Sequence, residues 1–466
     1  MSADSVRIKE ALKILRDVLG QDKVIDEEEE LYVYGFDATP LYFSKPYAVV
    51  RVFSINDVVE VLKIAHDYRI PIIPRGHGTS LTGAVVPISG GIVVDLSPMT
   101  KIEIKPEDGV VEAEAGATVA EVDLECNKYG FFLPPDPASA EVATIGGAIA
   151  EDSGGMRGAR YGTFRNWVLA LDVVIPGGKL LKLGAPVYKK RMGYDLMQLF
   201  IGSEGTLGII IKAVLKIIPL PENIARFLVF FDDMENAINT LKDMRFSKIN
   251  PLTAEFMDLE TIQNINEVFK LGLPEHGISL LIDIDGYSDS LTKISERVLK
   301  ILKENGAVEI IHARNEEEAK TLYAARRAAY PAIARRYKIV FAEDITVPLS
   351  KILQTFKEVK NIEKKYGVNI PTFGHIGDGN LHPNICIEER DTEAITRAKE
   401  IFEEICEVAI RIGGVVSGEH GIGIQKLTTF KRMLEVHNNL ELLEYMRKIK
   451  QIFDPHNIMN PGKILG

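Results

Sequence analysis

Apolar residues near the start of the chain recur at helical spacing. Ile8, Leu12, Leu15 and Leu19 stand three to four positions apart, which predicts an amphipathic helix over residues 5–20. An acidic run, 26–30, follows and reads as a solvated surface. Between residues 47 and 219 the pattern changes to short apolar runs at 49–52, 70–73, 92–96, 110–115 and 173–175, separated by glycine loops. Two helical stretches, 57–68 and 118–129, lie among them. After Pro219-Leu220-Pro221, residues 227–231, 280–285 and 308–312 read as strands, and 234–244 and 289–304 as helices. Strands alternating with helices predict a sheet covered by helices on one face. Helices then dominate, at 316–329 and 393–412, and Pro331 is expected to end or kink the first of them. Residues 454–463 are too rich in turn formers to be helical. No internal repeat or low-complexity segment is visible.

Length changes this picture little: 466 residues predict roughly three structural units at about 150 residues each. Net charge is −11, from 66 acidic against 55 basic residues, which argues against a nucleic-acid partner. It does not exclude a small anionic substrate, because one local Arg overrides the global field. Cys126, Cys386 and Cys406 share no C-x-x-C spacing, so neither an iron–sulfur cluster on this chain nor a disulfide framework is expected, and a reducing cytoplasm fits. No apolar stretch approaches the roughly 20 residues that span a bilayer. Asp4, Arg7, Lys9 and Glu10 interrupt any signal-peptide core. The expectation is a cytoplasmic protein without a transmembrane segment, which a partner can still bring to a membrane.

Four glycine loops carry the first chemical signal. Arg75-Gly76-His77-Gly78-Thr79-Ser80, closing at Gly83, follows the run 70–73. Glycines let backbone N–H groups converge on an anion, and Thr and Ser add hydroxyl donors. Pro135-Asp136 and Thr144-Ile145-Gly146-Gly147 form a second stretch, Ser153-Gly154-Gly155 with Tyr161-Gly162 a third, and Glu204 to Gly208-Ile209 a fourth. So many backbone-exposing loops suit a large, flat ligand that bears a pyrophosphate. No G-x-G-x-x-G opens a βαβ unit, which disfavours a Rossmann fold.

The second signal is Gly374-His375-Ile376-Gly377-Asp378-Gly379-Asn380-Leu381-His382. Asp378-Gly379 reads as a two-residue hairpin turn, and counting back from it sets His375 directly opposite His382. Imidazoles on one face of a hairpin can share a divalent metal. Ser417-Gly418-Glu419-His420-Gly421 adds a carboxylate and another imidazole. The reading is a metal (zinc, iron or manganese) held by His375, His382 and Glu419 with open positions, and His420 as a base near neutral pH.

The glycine loops resemble the FAD-binding domain of the vanillyl-alcohol oxidase / p-cresol methylhydroxylase superfamily. The later motifs resemble its branch of D-lactate dehydrogenases, glycolate oxidase D subunits and D-2-hydroxyglutarate dehydrogenases, over almost the whole chain. The resemblance implies an α+β protein: a two-part FAD-binding domain over 1–221 (core about 43–221), an α+β substrate or cap domain over 222–430 with a helix-covered antiparallel sheet, and a segment 431–466 that returns to the FAD domain. It implies that the first loop wraps the FAD pyrophosphate, that Thr144, Gly146, Gly147, Ser153, Gly154 and Gly155 line the flavin, and that the stretch through Gly208-Ile209 lies near the adenosine half. The same His, His and Glu bind a divalent cation in that branch, and the His beside the Glu is its proposed base. Leu322-Tyr323-Ala324-Ala325-Arg326 is similar to a Leu-Trp-x-x-Arg segment whose Arg pairs with the substrate carboxylate, which assigns Arg326; the alternative is a surface Arg on a helix. Glu343-Asp344 stands where some 2-hydroxyglutarate enzymes carry a Lys, which favours a monocarboxylate. The tail through Asn460 resembles the family's C-terminal signature and brings Asn460 toward the site.

Two departures stand out. His77 replaces a small residue and lies in the pyrophosphate loop, so FAD is expected to be bound non-covalently. Asp152 stands where Asn is usual. The implied activity is oxidation of D-lactate or glycolate by hydride transfer, with electrons passed to an electron-transferring flavoprotein, an iron–sulfur subunit or a quinone. The alternatives are a transferase resembling alkyl-dihydroxyacetone-phosphate synthase, for which a run of histidines is missing, and a non-catalytic flavin electron carrier.

Overall fold

The computed structural model describes residues 3–39 and 41–466. They form two compact units. The first takes the chain to Gly154, then Thr163–Leu220 and Glu419–Gly466; the second is Gly155–Gly162 with Pro221–Gly418.

The first unit is built on two sheets. In one, Ala48–Arg51, Ile92–Asp95 and Ile72–Arg75 run parallel, and Val24–Ile25 adds an antiparallel edge. Parallel strands need a crossover, which the helix Ile55–Tyr68 supplies. Ser54 caps that helix by accepting the Asp57 N–H, and Arg69 ends it in the left-handed region. The opening helix, Ala3–Leu19, buries Ala11, Leu12 and Leu15 in the same core as Val58, Val61 and Leu62. The other sheet is antiparallel, in the order Ile102–Lys105, Val110–Glu114, Ile209–Lys216, Val168–Ile175, Lys179–Gly184. Helix Val119–Asn127 packs on it, started by a reciprocal capping box between Thr118 and Glu121. The turn-rich tail returns to the first sheet: Ile72 N–H donates to Ile458 O at 2.7 Å and Asn460 N–H to Ile72 O at 2.7 Å.

The second unit is one antiparallel sheet. Its order is Glu309–His312, Asn223–Phe231, Ile278–Gly286, Thr253–Asp258, Thr372–His375, Asn380–Ile387 and Ile339–Ala342, with Ile345–Thr346 also on Asn380–Ile387. Helices cover both faces, where the sequence pattern predicts one. Phe227, Val229, Phe231, Leu280 and Ile282 are as buried as Leu228, Phe230 and Leu281, so neither face of these strands is left for water. Ile262, Ile265, Leu322, Ala332 and Ile333, from three helices, join the core of the face that holds Leu228, Met257 and Phe373. On the other face Phe256 packs edge-on to Phe356 of helix Ile352–Tyr366.

Pro331 does not end a helix. One helix, Glu316–Arg327, stops before it, and a second, Ala329–Arg336, carries Pro331 in its first turn, where a missing N–H costs no intrahelical bond.

Gly374 sits where three strands meet, opposite Phe256 and Leu381. A Cβ there would lie 2.4 Å from Asn380 O and 3.0 Å from Leu381 Cα. Both obstacles are backbone, so the strand itself would have to move. Gly374→Ala is expected to destabilise the protein by about 1–3 kcal/mol through overpacking, read as a lower midpoint in denaturant unfolding.

Candidate active site

In the second unit the hairpin register differs from the one the sequence suggests. His375 pairs with Asn380, and Phe373 with His382. The amides of Asp378 and Gly379 both donate to His375 O, at 3.2 and 3.1 Å, so the connection is a four-residue loop. The cause is Asp378, whose Oδ1 accepts the Asn380 N–H at 3.2 Å and uses that amide locally. The slip is by an even number of positions, so His375 and His382 stay on one face as diagonal neighbours. Their ring centroids lie 5.2 Å apart with planes at 87°, and both residues are buried.

The partners of each ring decide its tautomer. His382 Nδ1 lies 3.2 Å from the Glu343 carbonyl, which can only accept, so Nδ1 carries the proton. His375 Nδ1 lies 2.7 Å from Glu255 Oε1, and a carboxylate imposes the same choice. Both rings therefore present Nε2 with its lone pair, the form that binds a metal.

Arg326 belongs to the same face. It is 5% exposed, unlike Arg335 and Arg336, so it is not one of the surface arginines. Its Nη2 lies 2.8 Å from Glu255 Oε2, and its guanidinium stacks 4.6 Å from the Phe373 ring. Its Nε is a buried donor with no hydrogen-bond partner, a costly arrangement unless a ligand acceptor meets it. Glu255, which joins Arg326 to His375, was missed in the sequence. The only signal was an acid inside the apolar stretch Ala254-Glu255-Phe256-Met257.

Glu343 and Asp344 are wholly buried. Asp344 Oδ1 accepts from Asn380 Nδ2 at 2.8 Å, and Oδ2 from Ser417 Oγ at 2.8 Å and Gly418 N at 2.9 Å. Asp344 thus anchors the hairpin and the peptide immediately before Glu419 together. Glu343 Oε1 accepts from the Cys406 thiol at 3.0 Å. The three cysteines form no disulfide, and none of the described helices is long and apolar enough to cross a membrane.

In the first unit, the glycine loop after Ile72–Arg75 folds over the Arg75 side chain. Arg75 Nη1 donates to Phe36 O at 2.7 Å, and a Cβ on Gly78 would meet Nη2 at 2.2 Å. Gly78 also has φ +70°, so only glycine fits without strain. His77 is exposed and its Nδ1 lies 2.8 Å from Val142 O. Gly83 N donates to Asp37 Oδ2 at 2.8 Å, and burial pushes the Asp37 carboxyl up to about 6. Thr79 and Ser80 lie between these points.

Thr144 abuts this loop: a Cβ on Gly76 would sit 2.1 Å from Thr144 Oγ1. Thr144 also caps a helix, Ile145–Glu151, that the sequence pattern did not suggest. Gly146 serves close packing, since a Cβ there would meet Ala115 Cβ at 2.6 Å, and Gly147 receives the cap. Pro135 and Asp136 are buried. Gly208 approaches Val174 O, with an ideal Cβ 2.9 Å away, and Ile209 begins a core strand. Ser153 and Gly154 belong to this unit, whereas Gly155, Tyr161 and Gly162 fall in the second. The unusual Asp152 is matched by Arg165, whose N and Nε donate to its two oxygens at 2.8 and 2.7 Å.

The segment carrying Glu419 and His420 is clamped onto this unit. Glu204 accepts from Ile422 N and Gly423 N, both at 2.7 Å. Thr82 O accepts from Ile424 N at 3.0 Å, and Thr82 Oγ1 lies 3.3 Å from His420 O. Asn460 Nδ2 donates to Ala84 O at 2.8 Å and Glu204 O at 2.7 Å, so its amide joins two of the glycine loops. His420 Nε2 lies 3.9 Å from Glu419 Oε1.

Glu204 shares its enclosure with Glu151. A Cβ on Gly421 would lie 2.5 Å from Glu151 Oε2 and 2.8 Å from Glu204 Oε1. Burial pushes Glu204 up to about 7, the two amides opposing it. Burial and then the Glu204 charge push Glu151 well above the carboxylate range. Folding therefore holds protons that the unfolded chain releases, so stability falls as pH rises from the ordinary value of 4.5 through about 7. Glu151→Gln removes one of the two charges. It is expected to raise the melting temperature at pH 8 and leave it nearly unchanged at pH 5, in thermal scans at equal flavin content.

A family model described as FAD binding domain matches residues 46–184, and one described as FAD linked oxidases, C-terminal domain, matches residues 220–464. The chain is 39% identical to the glycolate oxidase subunit GlcD of Bacillus subtilis, over 98% of this chain and 97% of that one. It is 32% identical to a D-lactate dehydrogenase of Archaeoglobus fulgidus, over 95% and 98%. Its fold is similar to that of p-cresol methylhydroxylase with substrate bound (TM-score 0.83, 19% identity, 98% of this chain and 96% of that one). It is also similar to that of alkyldihydroxyacetonephosphate synthase (0.77, 20%, 98% and 86%). The chain belongs to the FAD-linked oxidases and is an FAD-dependent oxidoreductase of the group that contains the bacterial and archaeal relatives named above.

Proposed function

We propose that this chain oxidises a small D-2-hydroxy acid, D-lactate or glycolate, to the 2-oxo acid. The observation that carries this reading is Arg326: a buried guanidinium with an unpartnered Nε, on the same sheet face as two buried imidazoles whose Nδ1 atoms face acceptors. A guanidinium fixes a carboxylate by paired hydrogen bonds, which orients the α-carbon. The first unit is the cofactor domain and the second the substrate domain.

FAD, bound non-covalently along the glycine loops, supplies the acceptor for the α-hydrogen. A divalent cation (zinc, iron or manganese) on His375, His382 and Glu419 supplies polarisation of the substrate hydroxyl; two buried imidazoles with Nδ1 protonated are a donor set that fits it. Arg326 holds the carboxylate. His420, next to Glu419 in the chain, takes the hydroxyl proton. The buried acids Glu343 and Asp344 offer a second substrate carboxylate no cation, which favours a monocarboxylate. Cys126, Cys386 and Cys406 are separately buried, so electrons leave to a partner: an electron-transferring flavoprotein, an iron–sulfur subunit or a quinone.

The test is anaerobic addition of D-lactate, L-lactate, glycolate or D-2-hydroxyglutarate to the purified flavoprotein. Bleaching by D-lactate or glycolate, lost on chelation and restored by metal, is expected; a flavin that no 2-hydroxy acid bleaches overturns the reading. Arg326→Met is expected to lower kcat/KM by about 10- to 100-fold or more, since a hydrogen bond to a charged group is worth roughly 1.5–3 kcal/mol.

A further inference from the structure

We propose that Glu255 is a positioning residue that orients the metal-binding imidazole of His375 and the carboxylate-binding guanidinium of Arg326 at the same time. This rests on the reading above, which gives those two groups their ligands.

Glu255 lies in the strand Thr253–Asp258, paired with Leu281 on one side. It is 1% exposed. An isolated carboxylate would be expelled from such a place or neutralised there. Glu255 instead meets two groups, one with each oxygen: His375 Nδ1 at 2.7 Å and Arg326 Nη2 at 2.8 Å. His375 lies 120 positions away in sequence, and Arg326 comes from a helix. Neither the hydrogen bond to His375 nor the ion pair with Arg326 serves the sheet ladder or a helix cap, unlike the neighbouring Asp258, which caps helix Leu259–Phe269 through the Thr261 N–H.

Each contact has a chemical consequence. A carboxylate on Nδ1 holds that nitrogen protonated, aims Nε2 away from the strand and makes it a better electron donor. Partners of this kind typically change metal affinity by about 10- to 100-fold. The second oxygen holds one end of the guanidinium by charge, as an ion pair, and Phe373 supports its face. Nε is left as the donor without a partner. Arg326 can then take a ligand carboxylate without first losing rotamer freedom. One residue thereby sets the spacing between the hydroxyl-binding and carboxylate-binding ends of the site.

The experiment uses holo-flavoprotein with intact FAD content. Mn2+ affinity is measured by competition with a fluorescent chelator. Oxalate affinity is measured on chelator-treated protein from the flavin difference spectrum, so that the anion reports on Arg326. Glu255→Gln keeps the size of the side chain and can still accept from Nδ1, but it loses the charge that both partners use. Mn2+ and oxalate are each expected to bind about 10-fold or more weakly, with partial recovery in Glu255→Asp. Removing the charge leaves Arg326 buried and uncompensated, which can impair folding. The double variant Glu255→Leu with Arg326→Met removes both charges, and it is expected to keep the Mn2+ defect. Wild-type Mn2+ and oxalate affinity in Glu255→Gln overturns the proposal, as does loss of only one of the two, or Mn2+ affinity restored in the double variant. Wild-type protein that binds no Mn2+ overturns the metal reading and this proposal together; unchanged affinities in the variants, with wild-type protein that does bind, overturn this proposal alone.

Discussion

Asp344 has no exposed surface, yet its two oxygens hold two segments of the chain together. One takes Asn380 of the hairpin; the other takes Ser417 and Gly418. A carboxylate in such a place is tolerable only when fixed donors replace the water it has lost. Those donors fix the start of the strand that carries His382 and the peptide that leads into Glu419. The close fit continues around it: a Cβ on Gly418 would meet Thr346 Oγ1 at 2.3 Å and Asn380 Nδ2 at 2.4 Å. The glycine is therefore part of the same constraint, because the Gly418 amide reaches Asp344 only if nothing projects from its own Cα.

The first unit solves a similar problem with Glu204. Two backbone amides of the segment after His420 end on its carboxylate, and Asn460 ties the Glu204 carbonyl to Ala84. Loops rich in glycine have little side-chain packing of their own and a large entropy to lose. Buried hydrogen bonds to fixed acceptors provide the order that packing does not. The same burial pushes the Glu151 and Glu204 carboxyls upward: the enclosure that orders the loop excludes the water that would stabilise a second charge.

Much of this was legible in the sequence, for physical reasons. The helices Ile55–Tyr68 and Thr392–Arg411 announce themselves by apolar spacing and polar caps. The His375, His382, Glu419 and His420 motifs stand out because two imidazoles lie either side of a glycine turn and a carboxylate and imidazole lie together between glycines. What failed was the detail that depends on side chains bonding to backbone. Asp378-Gly379 looks like a hairpin turn, but Asp378 spends its carboxylate on the Asn380 amide and lengthens the loop. Thr144 looks like part of a loop, but its hydroxyl starts a helix. The runs at 227–231 and 280–285 were read as half-covered, although the unbroken apolarity of 227–231 and of 280–282 was the sign of a sheet buried on both faces.

Glu255 was invisible for a different reason. A helix or strand advertises itself by period, and a loop by composition, but a single acid has no pattern. Its partners lie on other elements, so only the assembled sheet brings them to its two oxygens. Burying an ion pair such as Glu255–Arg326 brings little net stability, because desolvation offsets most of the attraction, and apolar residues of similar size often do as well. Helix Glu316–Arg327 could have packed on Phe373 with Leu or Met at 326. A charged side chain with a bare donor is a poor choice for a core and a good one for holding an anion, and the carboxylate behind it keeps that charge in place before the anion arrives.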